Sequence, residues 1–262
     1  MPPVVGLALG AGAARGFAHL GVLQVLRQEG IPIHLISGSS IGSVFGALYA
    51  VGHDLQMLEK VAHELKQNFF VDVTVPRLGL LRGKKIEDLL RVLTKDMTFD
   101  QLQVPFYAVA VDIEKGERVV LNEGSVAEAV RASIAIPGIF QPKEWQGRLL
   151  VDGAVLDRIP IDVAREKGAQ VVIAVDVKYG GYEVTNHKVR SIFDIMLQSV
   201  ELLERELIKY YIVEADVVIR PNLSHISPAA FDRIGECVEQ GRVATVEAIP
   251  RIKELIESRL TG

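Results

Sequence analysis

Apolar runs of strand length alternate along this chain with longer segments of helical period, a pattern that narrows the fold to a mainly parallel sheet with helices on both faces. Val4 to Leu9, Ile33 to Ser37, Val104 to Ile113, Arg118 to Leu121, Arg148 to Val151, Gln170 to Val175 and Val217 to Ile219 read as strands. Gly16 to Gln28, Ile41 to Ala50, Asp54 to Gln67, Ile86 to Leu93, Ile192 to Ile212 and most of the chain after Pro228 read as helices. The expected class is therefore α/β. No repeat, low-complexity tract or linker divides the chain, and 262 residues with 49% hydrophobic side chains suffice for one domain over 1–262. Residues 178 to 190, with Gly180-Gly181, are the expected mobile loop.

Charge and cysteine usage exclude several roles. With 29 Lys and Arg against 33 Asp and Glu, the formal charge is -4, which offers no global attraction to nucleic acid or to an anionic membrane. A single cysteine, Cys237, cannot build an intramolecular disulfide framework and suits a reducing compartment, so a cytoplasmic location is expected, peripheral to a membrane at most. Met1-Pro2-Pro3-Val4-Val5 has no basic region, and the apolar run behind it is soon broken by Gly10, Gly12, Arg15 and Gly16, unlike a signal peptide.

The chemistry begins at Gly38-Ser39-Ser40-Ile41-Gly42, placed between an apolar strand and a helix. A nucleophilic serine on such an elbow needs small neighbours, which Gly38 and Gly42 supply, and it sits where the helix N-terminus favours developing negative charge. The same string also occurs as a plain helix cap, so its placement after a strand carries the reading. Gly10-Ala11-Gly12-Ala13-Ala14-Arg15-Gly16 forms a second turn between strand and helix, with backbone N–H groups available to an anion. As a dinucleotide fingerprint it fails at its sixth position, where Arg15 stands for glycine, and it has no Gly-Lys-Ser or Gly-Lys-Thr. An oxyanion hole built from Gly10, Ala11, Gly12 and Ala13 is the better reading; close packing of helix on sheet is the plain one.

A serine hydroxyl needs a proton acceptor. His19, His34, His53, His63, His187 and His225 are each better explained by packing or hydrogen bonding, and none lies in a convincing loop after a late strand. Asp152 is the alternative: Leu149-Leu150-Val151 delivers it to a strand end and Gly153 lets the chain turn at once. An aspartate titrates too low to be a strong base unless it is desolvated, and Asp-Gly is also an ordinary turn dipeptide.

Together these segments resemble the patatin-like phospholipase family, and especially its compact bacterial members. Gly10 to Gly16 leading into Gly21-Val22-Leu23 is similar to the family's oxyanion segment, Gly38 to Gly42 to its nucleophile elbow, and Asp152-Gly153-Ala154 to its Asp-Gly-Gly or Asp-Gly-Ala motif; Ala132-Ser133 through Pro137, Phe140 and Pro142 resembles the stretch before that aspartate. The resemblance implies a three-layer α/β/α fold, a Ser40–Asp152 dyad, hydrolysis of lipid or other acyl esters, and no metal or cofactor. The departure is at Ala11 and Ala13, where members commonly carry glycine, and a positive φ there would strain an alanine. That departure keeps a weakly active regulatory or interaction module open; a separate alternative is an enzyme that transfers the acyl group to an alcohol or thiol in place of water. Residues 76–85, Pro76-Arg77-Leu78-Gly79-Leu80-Leu81-Arg82-Gly83-Lys84-Lys85, mix leucines with cations and read as a lid, a peripheral membrane contact or a solvated connector.

Overall fold

The pentads Val5–Leu9 and Val171–Val175 are apolar on both faces, as strands in the middle of a covered sheet must be. The computed structural model describes residues 2–64, 81–178 and 192–261. Its elements in chain order are β1 (Val5–Leu9), a 3-10 turn (Ala13–Phe17), α1 (Ala18–Gln28), β2 (Leu35–Ser39), α2 (Ile41–Ala50), α3 (Leu55–Glu64), α4 (Lys84–Leu93), β3 (Phe106–Asp112), β4 (Glu117–Leu121), α5 (Val126–Ser133), β5 (Lys143–Trp145), β6 (Arg148–Asp152), α6 (Ile161–Glu166), β7 (Val171–Val175), α7 (Ile192–Tyr211), β8 (Val217–Ile219) and α8 (Ile234–Thr261). Three of these, α5, β5 and α6, fall where the hydrophobic pattern gives no element.

Side chains alternate across the sheet and define three layers. Val5, Leu7, Leu9, Ile36, Ile173 and Val175 point into the larger core beneath α1, α2, α3, α5 and α8. Ala8, Leu35, Val172 and Ala174 point the other way, onto Ile161 and Ala164 of α6 and Ile208 of α7. Among the described residues no helix is long and apolar enough to cross a membrane.

The sheet is parallel through β8, β7, β1, β2 and β3, and then changes sense. Both β4 and β6 run antiparallel to β3, and β5 antiparallel to β6. The register turns this change of direction into a meeting of two strand ends. Ser39 of β2 lies opposite Val109, and Asp152 of β6 lies opposite the next residue, Ala110. Because β4 pairs with Ala108 through Asp112, it occupies the other edge of β3, so β2 and β6 share one edge and meet there end to end. Two strands running in opposite directions thus bring their C-terminal residues to one point.

Candidate active site

At that point the chain makes its sharpest bend. Strand β2 ends at Ser39, helix α2 starts at Ile41, and the single residue between them, Ser40, has φ 53° and ψ -128°. An L-residue at positive φ costs roughly 1–2 kcal/mol, so the surroundings must hold it there. The Ser40 N–H donates to Ser133 Oγ at 3.0 Å, and the Ser40 carbonyl accepts from the Ser43 N–H at 2.8 Å and from Ser43 Oγ at 2.6 Å. Both peptide groups of the bend are thereby tied.

The glycines of the elbow allow backbone to touch backbone. A Cβ on Gly42 would stand 2.1 Å from the Leu9 carbonyl oxygen, and one on Gly38 2.7 Å from the Gly42 carbonyl. Replacing Gly42 by alanine sets a helix-propensity gain of about 1 kcal/mol against an overpacking cost of about 1–3 kcal/mol or more. The cost prevails because the obstacle is main chain. With a net cost of about 1–2 kcal/mol and about 2–4 °C per kcal/mol in a chain of this size, Gly42→Ala is expected to lower the melting temperature by about 2–8 °C; an unchanged transition would contradict the close approach of α2 to β1.

Ser40 Oγ donates to Asp152 Oδ2 at 2.6 Å, and Asp152 Oδ1 accepts the Ala154 N–H at 2.9 Å. Both side chains are nearly enclosed, Ser40 at 6% exposure and Asp152 at 3%. Burial lifts the Asp152 carboxyl from 3.8 to about 7; the hydrogen bonds from Ser40 and Ala154 pull down against it, Glu204 pushes further up and Lys178 down. A hydroxyl held on a carboxylate of near-neutral proton affinity is a pair able to exchange a proton at ordinary pH. Gly153 is what brings β6 this close, since a Cβ there would meet the Val109 carbonyl oxygen at 2.3 Å and Ser39 Oγ at 2.6 Å.

The glycine-rich turn packs directly on the elbow, with Gly16 against the Ile41 side chain. Its N–H groups are not all available. Gly10 donates to the Val175 carbonyl at 3.2 Å and Ala11 to the Arg158 carbonyl at 2.9 Å, so these two expected oxyanion donors serve the scaffold. Ala14 and Arg15 are also engaged, with Pro228 and Gly12 as acceptors, and Arg15 Nε reaches the Ile226 carbonyl at 2.6 Å. Among the described residues the N–H groups of Gly12 and Ala13 have no protein acceptor. Ala13 has φ 49°, a conformation that strains an alanine, whereas Ala11 has no positive φ.

No histidine among the described residues hydrogen-bonds Ser40 or Asp152. His34 accepts the Val5 N–H, His53 contacts the Leu93 carbonyl and His225 pairs with Glu236, while His187 lies outside the described residues. His19 has a local task instead. A carbonyl can only accept, so its Nε2 carries the proton donated to the Gly10 carbonyl at 2.7 Å; burial lowers its pKa to about 4, against which the Gly10 bond raises it, and the ring is neutral. It braces the start of the glycine turn from below.

Of the leucine- and cation-bearing stretch, residues 76–80 lie outside the described residues, as do residues 179–190 of the expected mobile loop. The remainder, 81–85, is fastened down. Leu81 bridges Phe140, the carbonyls of Arg82 and Gly83 accept from Arg131, and Lys84 pairs with Asp88 as α4 begins.

The family model described as patatin-like phospholipase matches residues 7–165, which include both turns and Asp152. An uncharacterized NTE family protein of Mycobacterium tuberculosis is 41% identical over 181 residues, 67% of this chain and 49% of that protein. Human patatin-like phospholipase domain-containing protein 6 is 34% identical over 181 residues, 66% of this chain and 13% of that protein. The chain thus spans about half the length of the mycobacterial relative and a small part of the human one. Among solved structures, VipD from Legionella pneumophila superposes with a TM-score of 0.63 at 14% identity, covering 97% of this chain and 67% of that one. ExoU in its complex with SpcU from Pseudomonas aeruginosa gives 0.54 at 16% identity, over 96% and 52%. At those identities the likeness is one of fold.

Proposed function

The chain belongs to the patatin-like phospholipase family, and from that footing we propose that it hydrolyses acyl esters, foremost those of phospholipids or lysophospholipids, through an acyl-serine intermediate on Ser40. The observation that carries this reading is the 2.6 Å hydrogen bond from Ser40 Oγ to a buried Asp152 at the meeting point of two strand ends. Asp152 takes the hydroxyl proton as Ser40 Oγ bonds to the ester carbonyl carbon, and the carbonyl oxygen becomes an oxyanion. The N–H groups of Gly12 and Ala13, with the N-terminus of α2 beside them, are the donors left to receive that charge. Collapse of the intermediate expels the alcohol, which receives the proton from Asp152; water, activated by the same carboxylate, then releases the acid and restores Ser40.

The reading sets a pH dependence. Asp152 must be ionised to act as base, so kcat/KM for a p-nitrophenyl ester should rise with pH along an acid limb centred at about 7. A limb centred near 4, the range of an unperturbed carboxylate, would remove buried Asp152 from the role. Labelling by a fluorophosphonate probe, mapped to Ser40 by peptide mass, separates the hydrolase from an inert interaction module, and product analysis in the presence of glycerol or a thiol separates hydrolysis from acyl transfer.

A further inference from the structure

The bend at Ser40 is a conformation that serine does not adopt unaided, and the residue tying its N-terminal side comes from a distant part of the chain. Ser133 is the last residue of α5, is fully buried, and is separated from Ser40 by 93 positions in sequence. Its hydroxyl uses both of its capacities at once: Oγ accepts the Ser40 N–H at 3.0 Å and donates to the Val109 carbonyl at 2.6 Å. Val109 is the β3 residue opposite Ser39, at the junction where β2 gives way to β6. One hydroxyl therefore links the peptide that carries the nucleophile to the strand that sets the place of Asp152.

We propose that Ser133 is a positioning residue for the reaction of Ser40: its hydroxyl locks the Ser40 peptide to β3 in the one orientation that directs Oγ onto Asp152. The inference rests on the hydrolase reading above. Ser43 ties the carbonyl side of Ser40, but it belongs to the same helix and moves with it, so it cannot fix the elbow relative to β3 and β6. Among the described side chains, Ser133 is the one that joins the Ser40 peptide to that strand. Without its hydroxyl the Ser40 N–H and the Val109 carbonyl are both left buried and unpaired, and the bend is free to relax by rotating the Ser40 peptide. A displacement of about 1 Å at a reacting atom is enough to cost about 10²-fold in rate.

The test compares wild type with Ser133→Ala, and Ser133→Thr with Ser133→Val, a pair equal in size and different in the hydroxyl. The expected result is a fall in kcat of about 10²-fold for the alanine and valine variants with KM little changed, and substantial recovery in the threonine variant. A second expected change is peculiar to positioning: Ser40 no longer donates to Asp152, so the acid limb of kcat/KM moves above about 7. Amide hydrogen exchange at Ser40 should also accelerate in Ser133→Ala, a readout that needs no turnover. Ser133→Cys, with the same shape and a weak donor, serves where the alanine variant does not fold, and carries the same expectations. Wild-type kcat, acid limb and Ser40 exchange in a folded variant lacking the hydroxyl would overturn the inference while leaving the hydrolase reading intact. Faster Ser40 exchange in a protein whose wild type neither turns over esters nor labels at Ser40 would overturn the hydrolase reading, and the positioning role with it, leaving the clamp as architecture alone.

Discussion

Ser40→Ala is expected to reduce turnover of a p-nitrophenyl ester by about 10⁴-fold or more and to abolish fluorophosphonate labelling, in a protein that folds as the wild type does. The folding half of this expectation comes from the hydrogen bonds. Ser40 Oγ makes one contact, to Asp152, whereas the backbone of the bend is held by Ser133 and Ser43, whose bonds survive the change. Alanine at φ 53° carries the same strain as serine. The activity half follows from the neighbours, since no other hydroxyl of the elbow can stand in. Ser39 Oγ is buried without a hydrogen-bond partner in the packing between Val109 and Gly153, and Ser43 Oγ is committed to the Ser40 carbonyl. Circular dichroism with the ester assay checks both halves; a folded variant retaining activity within about tenfold of wild type, a loss too small for an absent nucleophile, would end the case for Ser40.

The parts of this site that could be read from sequence are those whose determinants are local. Strand, bend and helix at Gly38 to Gly42 are consecutive, and α2 begins and ends where its small apolar residues place it, at Ile41 and Ala50. The preceding strand is displaced by two residues, Leu35–Ser39 in place of Ile33 to Ser37, because pairing with β3 carries it through the glycine to the residue before Ser40. Asp152 is recognisable as a strand end followed by glycine, yet Leu149-Leu150-Val151 is equally apolar whichever way its strand runs. That it runs antiparallel, and so ends facing β2, is settled by pairing with Ala110 to Asp112, some forty positions earlier. The sequence pattern therefore offers the two residues, and only the sheet register brings them together.

Long-range hydrogen bonding accounts for the rest. Four N–H groups of the glycine turn are equivalent on paper, but Val175 and Arg158 claim those of Gly10 and Ala11 from over 140 residues away, which no local motif encodes. Helix α5 is eight residues long and rich in alanine and valine, too short for helical period to declare itself, and Ser125 caps its start weakly, with Oγ 3.4 Å from the Glu128 N–H. Missing α5 as a helix hides the role of Ser133. The residue stands in the sequence beside Ala132 as part of a family-like stretch, without any sign that its hydroxyl will lie under Ser40.

Asp152→Asn is expected to lower kcat by about 10²- to 10⁴-fold, and its stability should separate from that of wild type in a pH-dependent way that identifies the group responsible. Asp152 titrates near 3.8 in the unfolded chain and at about 7 in the fold, so between those values the folded protein holds the extra proton. Wild-type stability contributed by this group is thus fully present at low pH, is lost as pH rises through about 7, and is constant above that. At about 1.36 kcal/mol per pKa unit the whole span is worth up to roughly 4 kcal/mol. Asparagine does not titrate and escapes the loss. It has a cost of its own, however, because the Ser40 hydroxyl and the Ala154 N–H each need an acceptor and its side chain has a single oxygen; one unmet partner costs about 1–3 kcal/mol at any pH. The constant penalty governs at low pH and the relief of a buried charge governs at high pH, so the variant should melt below wild type at pH 4 and at or above it at pH 8. Taking the difference between the two proteins removes the contributions of His19 and every other shared group. The melting-temperature difference should climb between pH 5 and about 7 and then level off; a difference independent of pH would mean that Asp152 is already ionised throughout that range, and would withdraw the near-neutral carboxylate on which the proposed base depends.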